Sequence, residues 1–219
     1  MVASEIAALW VAFAATHMGM SSERFRPRLV GALGGRGFQG VYSLVALAIF
    51  VPLVALYFDH KHAGPALWHL GGSPAVRWVA YGVMGLALSL FVGGMLRPSP
   101  ASIITGKPEA RGALRITRHP VFMAIGLFGL AHLLVAPVHA AELAFFGGFP
   151  VFALVGSRHQ DQRNLQKGGE EFRRFHASTA WLPFGAPGAI RGLAEMPLAI
   201  AIGVALAALL RRYHGSLFG

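Results

Sequence analysis

The chain alternates between long apolar runs and short charged segments. The apolar runs cover approximately Ser4–Met20, Val41–Phe58, Val76–Leu96, Pro120–Pro137, Ala141–Gly156 and Leu193–Leu210. Most of them approach the ~20 apolar residues that a helix needs to cross the hydrocarbon of a bilayer. The pattern predicts an all-α, polytopic membrane helix bundle with about six transmembrane helices, in a single integral membrane domain over residues 1–219.

Two of these runs are predicted to form a tight helical hairpin. Only the sequence VHA separates the fourth run from the fifth, and the fifth is so short that we expect tilt or local thinning of the bilayer. Glycines lie in both runs, at positions 126, 129, 147 and 148. They either make room for a macrocycle or let helices pack closely, and we favour close packing.

Composition supports a membrane protein. Of the 219 residues, 55% are hydrophobic and 13% are charged, which is too few polar residues to cover a soluble domain of this length. Glu5 stands where a signal peptide has basic residues, so we expect the first span to be retained. Cysteine is absent, so a metal must be held by His, Met or oxygen ligands.

The distribution of charge predicts an orientation. Fifteen of the nineteen Lys and Arg residues lie in the segments between runs one and two, three and four, and five and six. Such residues accumulate in cytoplasmic loops, so we predict a multi-pass protein of the inner (cytoplasmic) membrane with a non-cytoplasmic N-terminus. Topology and lipid headgroups then explain the net charge of +10, and nucleic acid is not an expected partner. The segment GGEEFRRFHASTAWLPF has the spacing of an amphipathic helix that lies on the membrane.

Three of the ten histidines lie within or at the mouth of a predicted span. Five others flank span ends, where an interfacial role is expected, and His159 and His176 in the basic third loop are expected to be solvated. The informative residues are His17, His119 and His132, because an ionisable group inside a membrane usually faces a partner or a cavity. His119 precedes Pro120 and is predicted to cap the fourth helix.

Two histidines from different membrane helices can clamp a haem iron between them. His119 and His132 lie thirteen residues apart, which places them about 140° apart around one helix, so only one of them can join His17 on an iron. Depth in the membrane favours His119, because His17 also lies near the cytoplasmic surface. The other histidine would then line the pocket, anchor a propionate or cap the helix. Haem propionates could pair with Arg24, Arg115 and Arg118.

Several motifs together resemble the NnrU family, most closely its 15-cis-zeta-carotene isomerase branch. They are THMGMSSERFRP, YSLVALAIFVPLVALYFDHKHAGPALWHL, RITRHP, LAHLL and QDQRNLQKGGEEFRRFHASTAWLPF. The resemblance implies a haem b enzyme of the membrane that isomerises a cis double bond of a lipid-soluble polyene without net redox change, with an electron donor as a possible partner. It also implies that His17 and His132 are the axial iron ligands. His119 becomes a nearby functional residue and the alternative ligand.

One position departs from the plant members of this branch. Those members have a cysteine three residues before the second axial histidine, offered as an alternative ligand when the iron is reduced. Gly129 stands there in this chain, so a cysteine-based ligand switch is excluded.

Two alternative functions stay open. The other branch of the NnrU family is associated with denitrification and nitric-oxide handling. The second half of the chain also resembles S-adenosylmethionine-dependent isoprenylcysteine and phospholipid methyltransferases, through its RHP segment and hairpin. Phe122, Phe172 and Phe175 replace the tyrosines of that group, and only Asp161 and Gln162 stand where it has an acidic pair.

Overall fold

The computed structural model describes residues 1–101 and 106–218. The elements, in chain order, are α1 (Val2–Ser21), α2 (Arg26–Asp59), β1 (Ala66–Trp68), a 3-10 turn (Leu70–Gly72), α3 (Pro74–Leu96), α4 (Ala113–Ile116), α5 (Pro120–Val135), β2 (Val138–His139), α6 (Ala140–Lys167), α7 (Gly169–Ser178), α8 (Arg191–Ala194) and α9 (Pro197–Phe218). The two short strands form one antiparallel ribbon. The predicted all-α fold is confirmed.

The number of membrane-crossing helices differs from the prediction. Within the described residues, five helices are long and apolar enough to cross a membrane, namely α1, α2, α3, α6 and α9. The fourth predicted span is α5, which has only 16 residues. The fifth run was expected to be short, but α6 has 28 residues because the helix continues past the apolar run into its polar sequence. Six full crossings are therefore not established.

A glycine divides α2 into two parts. Gly34 has φ 71° and ψ 167°, a backbone conformation that is open to glycine and costly for other residues. The basic segment that begins at Arg26 thereby changes direction before the apolar span.

Close contacts between helices explain several of the glycines. α5 packs against α3 and α6, while α1 packs against α2 and α6. A Cβ atom at Gly148 would overlap the indole of Trp10, and one at Gly129 would overlap the carbonyl oxygen of Phe146. Trp10 donates its indole N–H to the carbonyl oxygen of Phe145 at 3.0 Å. The close-packing interpretation is confirmed at these two glycines.

The basic loops meet at one end of the bundle, which we call the basic end. Lys167 Nζ lies 3.4 Å from Glu23 Oε1, and Arg115 is paired with Glu195 at 2.9 Å. The β ribbon lies at the opposite end, where Trp68 donates its indole N–H to the carbonyl oxygen of Leu133. The alternation of loops between two ends agrees with the distribution of charge in the sequence.

The amphipathic segment after α6 forms a helix, although its apolar face contacts protein. Phe172 and Phe175 of α7 are buried and pack with Ala101 and Leu114. Neighbouring segments of the chain cover these two side chains, and the contact of this helix with the membrane surface stays a prediction.

Candidate functional site

His119 lies at the start of α5 and is almost completely buried, with 2% of its surface exposed. It occupies the N-cap position, but its side chain makes no capping hydrogen bond. Its Nε2 atom instead lies 2.7 Å from Oδ1 of Asp161 on α6. The predicted capping role of the side chain is therefore wrong, because the ring joins two helices at the basic end.

Asp161 connects His119 to α7 and to the segment that follows it. Arg118 donates from Nε to Asp161 Oδ2 and from Nη1 to the carbonyl oxygen of Thr179, each at 2.8 Å. His176 Nε2 lies 3.6 Å from Asp161 Oδ2, so His176 is not the solvated side chain that the sequence suggested. Burial lowers the pKa of His176, and the Arg118 charge lowers it further, while Asp161 opposes the shift.

These contacts were not predicted from the sequence, because no local sequence pattern relates the residues that make them. Asp161 lies 42 residues after His119, and helix packing alone brings the two together. Around it, a cavity of about 320 Å³ is lined by Arg118, Arg158, Asp161, Gln162, Leu165, His176 and Trp181. The Arg158 guanidinium covers the Trp181 ring at 4.6 Å.

One atom of His119 has no partner. Nδ1 is buried and forms no hydrogen bond with any of the residues that the structure describes. In a neutral ring whose Nε2 proton is donated to Asp161, this atom carries a lone pair. The lone pair on Nδ1 keeps His119 as the alternative iron ligand, and the contact with Asp161 would orient its ring, as a carboxylate commonly does for a metal-bound histidine.

His17 and His132 both contact aromatic rings of α6, but at different levels. The His17 ring lies 4.7 Å from Phe13, 4.5 Å from Tyr42 and 5.7 Å from Phe152, between ring centroids. The His132 ring stacks on Phe146 at 4.5 Å with an interplanar angle of 10°. This aromatic series on α6 is visible in the sequence as Phe146, Phe149 and Phe152, one every three residues.

The two predicted axial ligands do not meet in this arrangement. Phe146 and Phe152 are six residues apart on α6, which is about 9 Å along the helix axis. Asp161, the partner of His119, lies nine residues beyond Phe152, or about 13 Å further along the same axis. The three histidines therefore contact α6 at three different positions along its axis. Neither His119 nor His132 lies at the same position as His17.

Clamping of a haem iron between His17 and His132 stays a prediction of the resemblance, because the ring contacts give the level of each histidine on α6 and not the distance between their ring nitrogens. The surroundings of His132 fit an axial role. Its Nδ1 atom lies 2.9 Å from the carbonyl oxygen of Phe128, which as acceptor fixes the proton on Nδ1 and leaves the Nε2 lone pair for a metal.

The arginines proposed for propionates have partners of their own. Arg118 pairs with Asp161 and Arg115 with Glu195, while the Arg24 guanidinium lies over the Phe25 ring at 5.7 Å. An anionic ligand would thus compete with a carboxylate at two of the three positions.

An apolar groove lies between α3, α5 and α6. Its volume is about 210 Å³, and its lining consists of Met84, Ala87, Leu88, Phe91, Ala124, Ile125, Phe128 and Phe149. Phe91 is 41% exposed, so one wall faces the surroundings of the bundle. The Phe128 ring also contacts His132, with 4.3 Å between ring centroids, and so links the groove to that histidine.

Comparisons with known proteins agree on one family. The chain is 29% identical over 187 residues to 15-cis-zeta-carotene isomerase, chloroplastic, of Arabidopsis thaliana, which covers 80% of this chain and 47% of that protein. The enzyme of the same name from Zea mays is 26% identical over 186 residues, covering 81% and 49% respectively. The chain thus spans about half the length of these curated relatives, and no solved structure matches it significantly. The NnrU protein family matches residues 5–219, and the chain belongs to that family.

Proposed function

We propose that this protein is a membrane-bound cis-trans isomerase of a polyene of the 15-cis-zeta-carotene type. The observation that carries the proposal is the similarity of about 80% of the chain to two isomerases of that name. We further propose the inner membrane as its location, with the basic end in the cytoplasm.

The apolar groove is the proposed binding site for the polyene. A long conjugated hydrocarbon dissolves in the bilayer and presents only apolar surface, which matches a groove with eight apolar lining residues. A volume of about 210 Å³ holds a segment of such a chain, so the remainder of the substrate would stay in lipid. The rings of Phe128 and Phe149 would hold the conjugated segment and set its orientation.

Haem b is the proposed cofactor, with His132 as the ligand that fits best. Bound there, haem would supply electron density that lowers the order of the double bond, after reduction by an electron donor. The protein residues would position the polyene through Phe128, which contacts both the groove and His132. His119, Asp161 and Arg118 would hold the basic ends of α5 and α6 in register.

The proposal is tested in a bacterial host that accumulates 15-cis-zeta-carotene. Expression of the protein should raise the trans fraction of zeta-carotene, measured by chromatography. The purified protein should show a haem Soret band that shifts on reduction. His132→Ala should abolish conversion and change the Soret band, while His60→Ala, at an exposed position, should leave both unchanged.

Three outcomes would contradict parts of the proposal. Haem-loaded protein that converts no zeta-carotene would overturn the isomerase assignment and favour the nitric-oxide-related role. Colourless protein that isomerises zeta-carotene would overturn the proposed haem cofactor and leave the isomerase assignment in place. Colourless, inactive protein that binds S-adenosylmethionine would replace the whole proposal with a methyltransferase.

A further inference from the structure

We propose that His62, His139 and Glu142 form a binding site for a divalent transition-metal ion such as Zn²⁺, at the end of the bundle opposite the basic end. Each of the three residues offers one ligand atom, and these atoms all lie within 4.8 Å of one another. The site is separate from the groove and the histidines of the proposed function.

The distances within the triad match those of ligands that share one ion. His62 Nδ1 lies 3.3 Å from Glu142 Oε1, and His139 Nδ1 lies 3.5 Å from Glu142 Oε2. Two ligands on a tetrahedral Zn²⁺, each bound at about 2.0–2.1 Å, are about 3.3 Å apart. The same distances are long for hydrogen bonds between a ring N–H and a carboxylate.

Glu142 has the surroundings of a fixed ligand. Its side chain is completely buried, and its two oxygen atoms accept the backbone N–H groups of His62 at 2.8 Å and His139 at 2.9 Å. A carboxylate oxygen has two lone pairs, so each of these atoms keeps one for a metal. The two backbone donors would orient the carboxylate in the way that outer partners orient metal ligands.

The backbone at His62 is unusual in a way that serves the triad. His62 has φ 62°, in the left-handed region that non-glycine residues rarely adopt and that commonly marks functional positions. This conformation places both its backbone N–H and its ring Nδ1 toward Glu142.

The donor set indicates the kind of ion. Two imidazole nitrogens with one carboxylate suit Zn²⁺ and neighbouring transition metals better than Ca²⁺ or Mg²⁺, which prefer oxygen. The His62 side chain is 50% exposed and that of His139 23% exposed, so water can reach the ion as a fourth ligand. The charge of Glu142 offsets the unfavourable position of a cation at the start of α6.

Metal binding would join two loops that are distant in sequence. His62 follows α2, whereas His139 and Glu142 lie at the turn from α5 to α6, about 80 residues later. A shared ion would tie these segments together and add to the bond between Ala141 N–H and the carbonyl oxygen of Ala63.

The test is a Co²⁺ titration of the full chain in detergent after treatment with a chelator. Co²⁺ in a tetrahedral site of nitrogen and oxygen ligands has strong visible absorption bands, and Zn²⁺ should displace it. We expect saturation at one equivalent. Wild-type protein that shows no stoichiometric tetrahedral spectrum would overturn the proposal without the need for a variant.

Matched glutamine variants then assign the ligands. The double variant His62→Gln, His139→Gln should weaken Co²⁺ binding by about tenfold or more. His60→Gln should leave it unchanged, because the Nδ1 atom of His60 bonds to the carbonyl oxygen of Leu56 in its own helix. Unchanged Co²⁺ binding in the folded double variant, or equal loss in His60→Gln, would contradict the assignment. If the double variant does not fold, each single variant is used, and a Zn²⁺-dependent rise in the melting temperature of the wild type but of neither single variant is the expected result.

Discussion

At the scale of single residues, Asp161 holds the basic end together. One carboxylate receives Arg118 and His119, both almost completely buried, and lies close to His176. A buried charge without its partner is far more costly than the pair is favourable. The stability of this end therefore depends on the balance of charge within the network.

Asp161→Asn should lower the free energy of unfolding by about 3–5 kcal/mol, because it leaves the Arg118 guanidinium buried without a counter-charge. The measurement is denaturant or thermal unfolding in detergent, followed by circular dichroism. Glu171→Gln removes an acidic group at an exposed position of α7 and should change stability little. Equal effects of the two substitutions would show that the network contributes nothing specific.

Gly148→Ala should destabilise the protein by about 1–3 kcal/mol, since the new methyl group would overlap the indole of Trp10. The adjacent Gly147→Ala is the control. A Cβ atom there would meet only Leu143 of the same helix, at 3.7 Å, so alanine should be neutral or stabilise by up to about 1 kcal/mol. Melting temperatures of the two variants decide the matter, and a reversed order would contradict the packing of α1 on α6.

At the scale of elements, short helices at the basic end are held by ion pairs as well as by apolar contacts. Glu195, which follows α8, accepts hydrogen bonds from the backbone N–H of Gly112 at 2.7 Å and from Arg115 Nε at 3.0 Å. The bond from Arg115 holds the pKa of Glu195 below its usual value, and the Gly112 N–H adds to the shift. The connection between α4 and α8 is thus sensitive to acid.

The pH dependence of this connection has a definite sign. A carboxyl group whose pKa is lowered by folding stabilises the fold above its ordinary pKa, and that contribution is lost as the pH falls through the lower folded value. Glu195→Gln should therefore flatten the pH dependence of the melting temperature on the acid side of about pH 4.3. The effect should not exceed about 1 kcal/mol, since the pair is partly exposed. Glu109→Gln, at an exposed loop position, should keep the wild-type pH profile of the melting temperature. A Glu195→Gln profile identical to that of the wild type would contradict the predicted contribution of Glu195.

At the scale of the whole molecule, the bundle presents apolar side chains outward and keeps its polar networks at its two ends. Large exposed side chains such as Leu44, Val51 and Trp78 cover the outside of the helices, as expected for contact with lipid. The groove between α3, α5 and α6 adds apolar surface that a substrate dissolved in the membrane can reach.

Leu88→Trp should fill the groove and lower the conversion of zeta-carotene severalfold or more, because the larger side chain occupies the space proposed for the polyene. Leu44→Trp makes the same change at a position that is 67% exposed and should leave conversion unchanged. The isomer ratio is measured at equal levels of folded protein. Full activity of Leu88→Trp would place the polyene elsewhere.

The sequence by itself determined the features that depend on composition and helical period. Apolar runs predicted the helices, and clustered Arg and Lys residues predicted which loops share an end, because both follow from the cost of placing polar groups in lipid. The motifs around His17, His119 and His132 pointed to the NnrU family, to which the chain belongs. The apolar pattern did not reveal that α6 continues far beyond its apolar run, since polar residues extend a helix as well as apolar ones.

Only the tertiary structure decided which side chains meet. The contact of His119 with Asp161, the meeting of His62 with His139 and Glu142, and the separate depths of His17 and His132 all depend on how helices pack across tens of residues. Helical geometry relates neighbours within one helix, whereas depth and contact between helices are set by residues such as Gly129 and Gly148 that control how closely two helices approach.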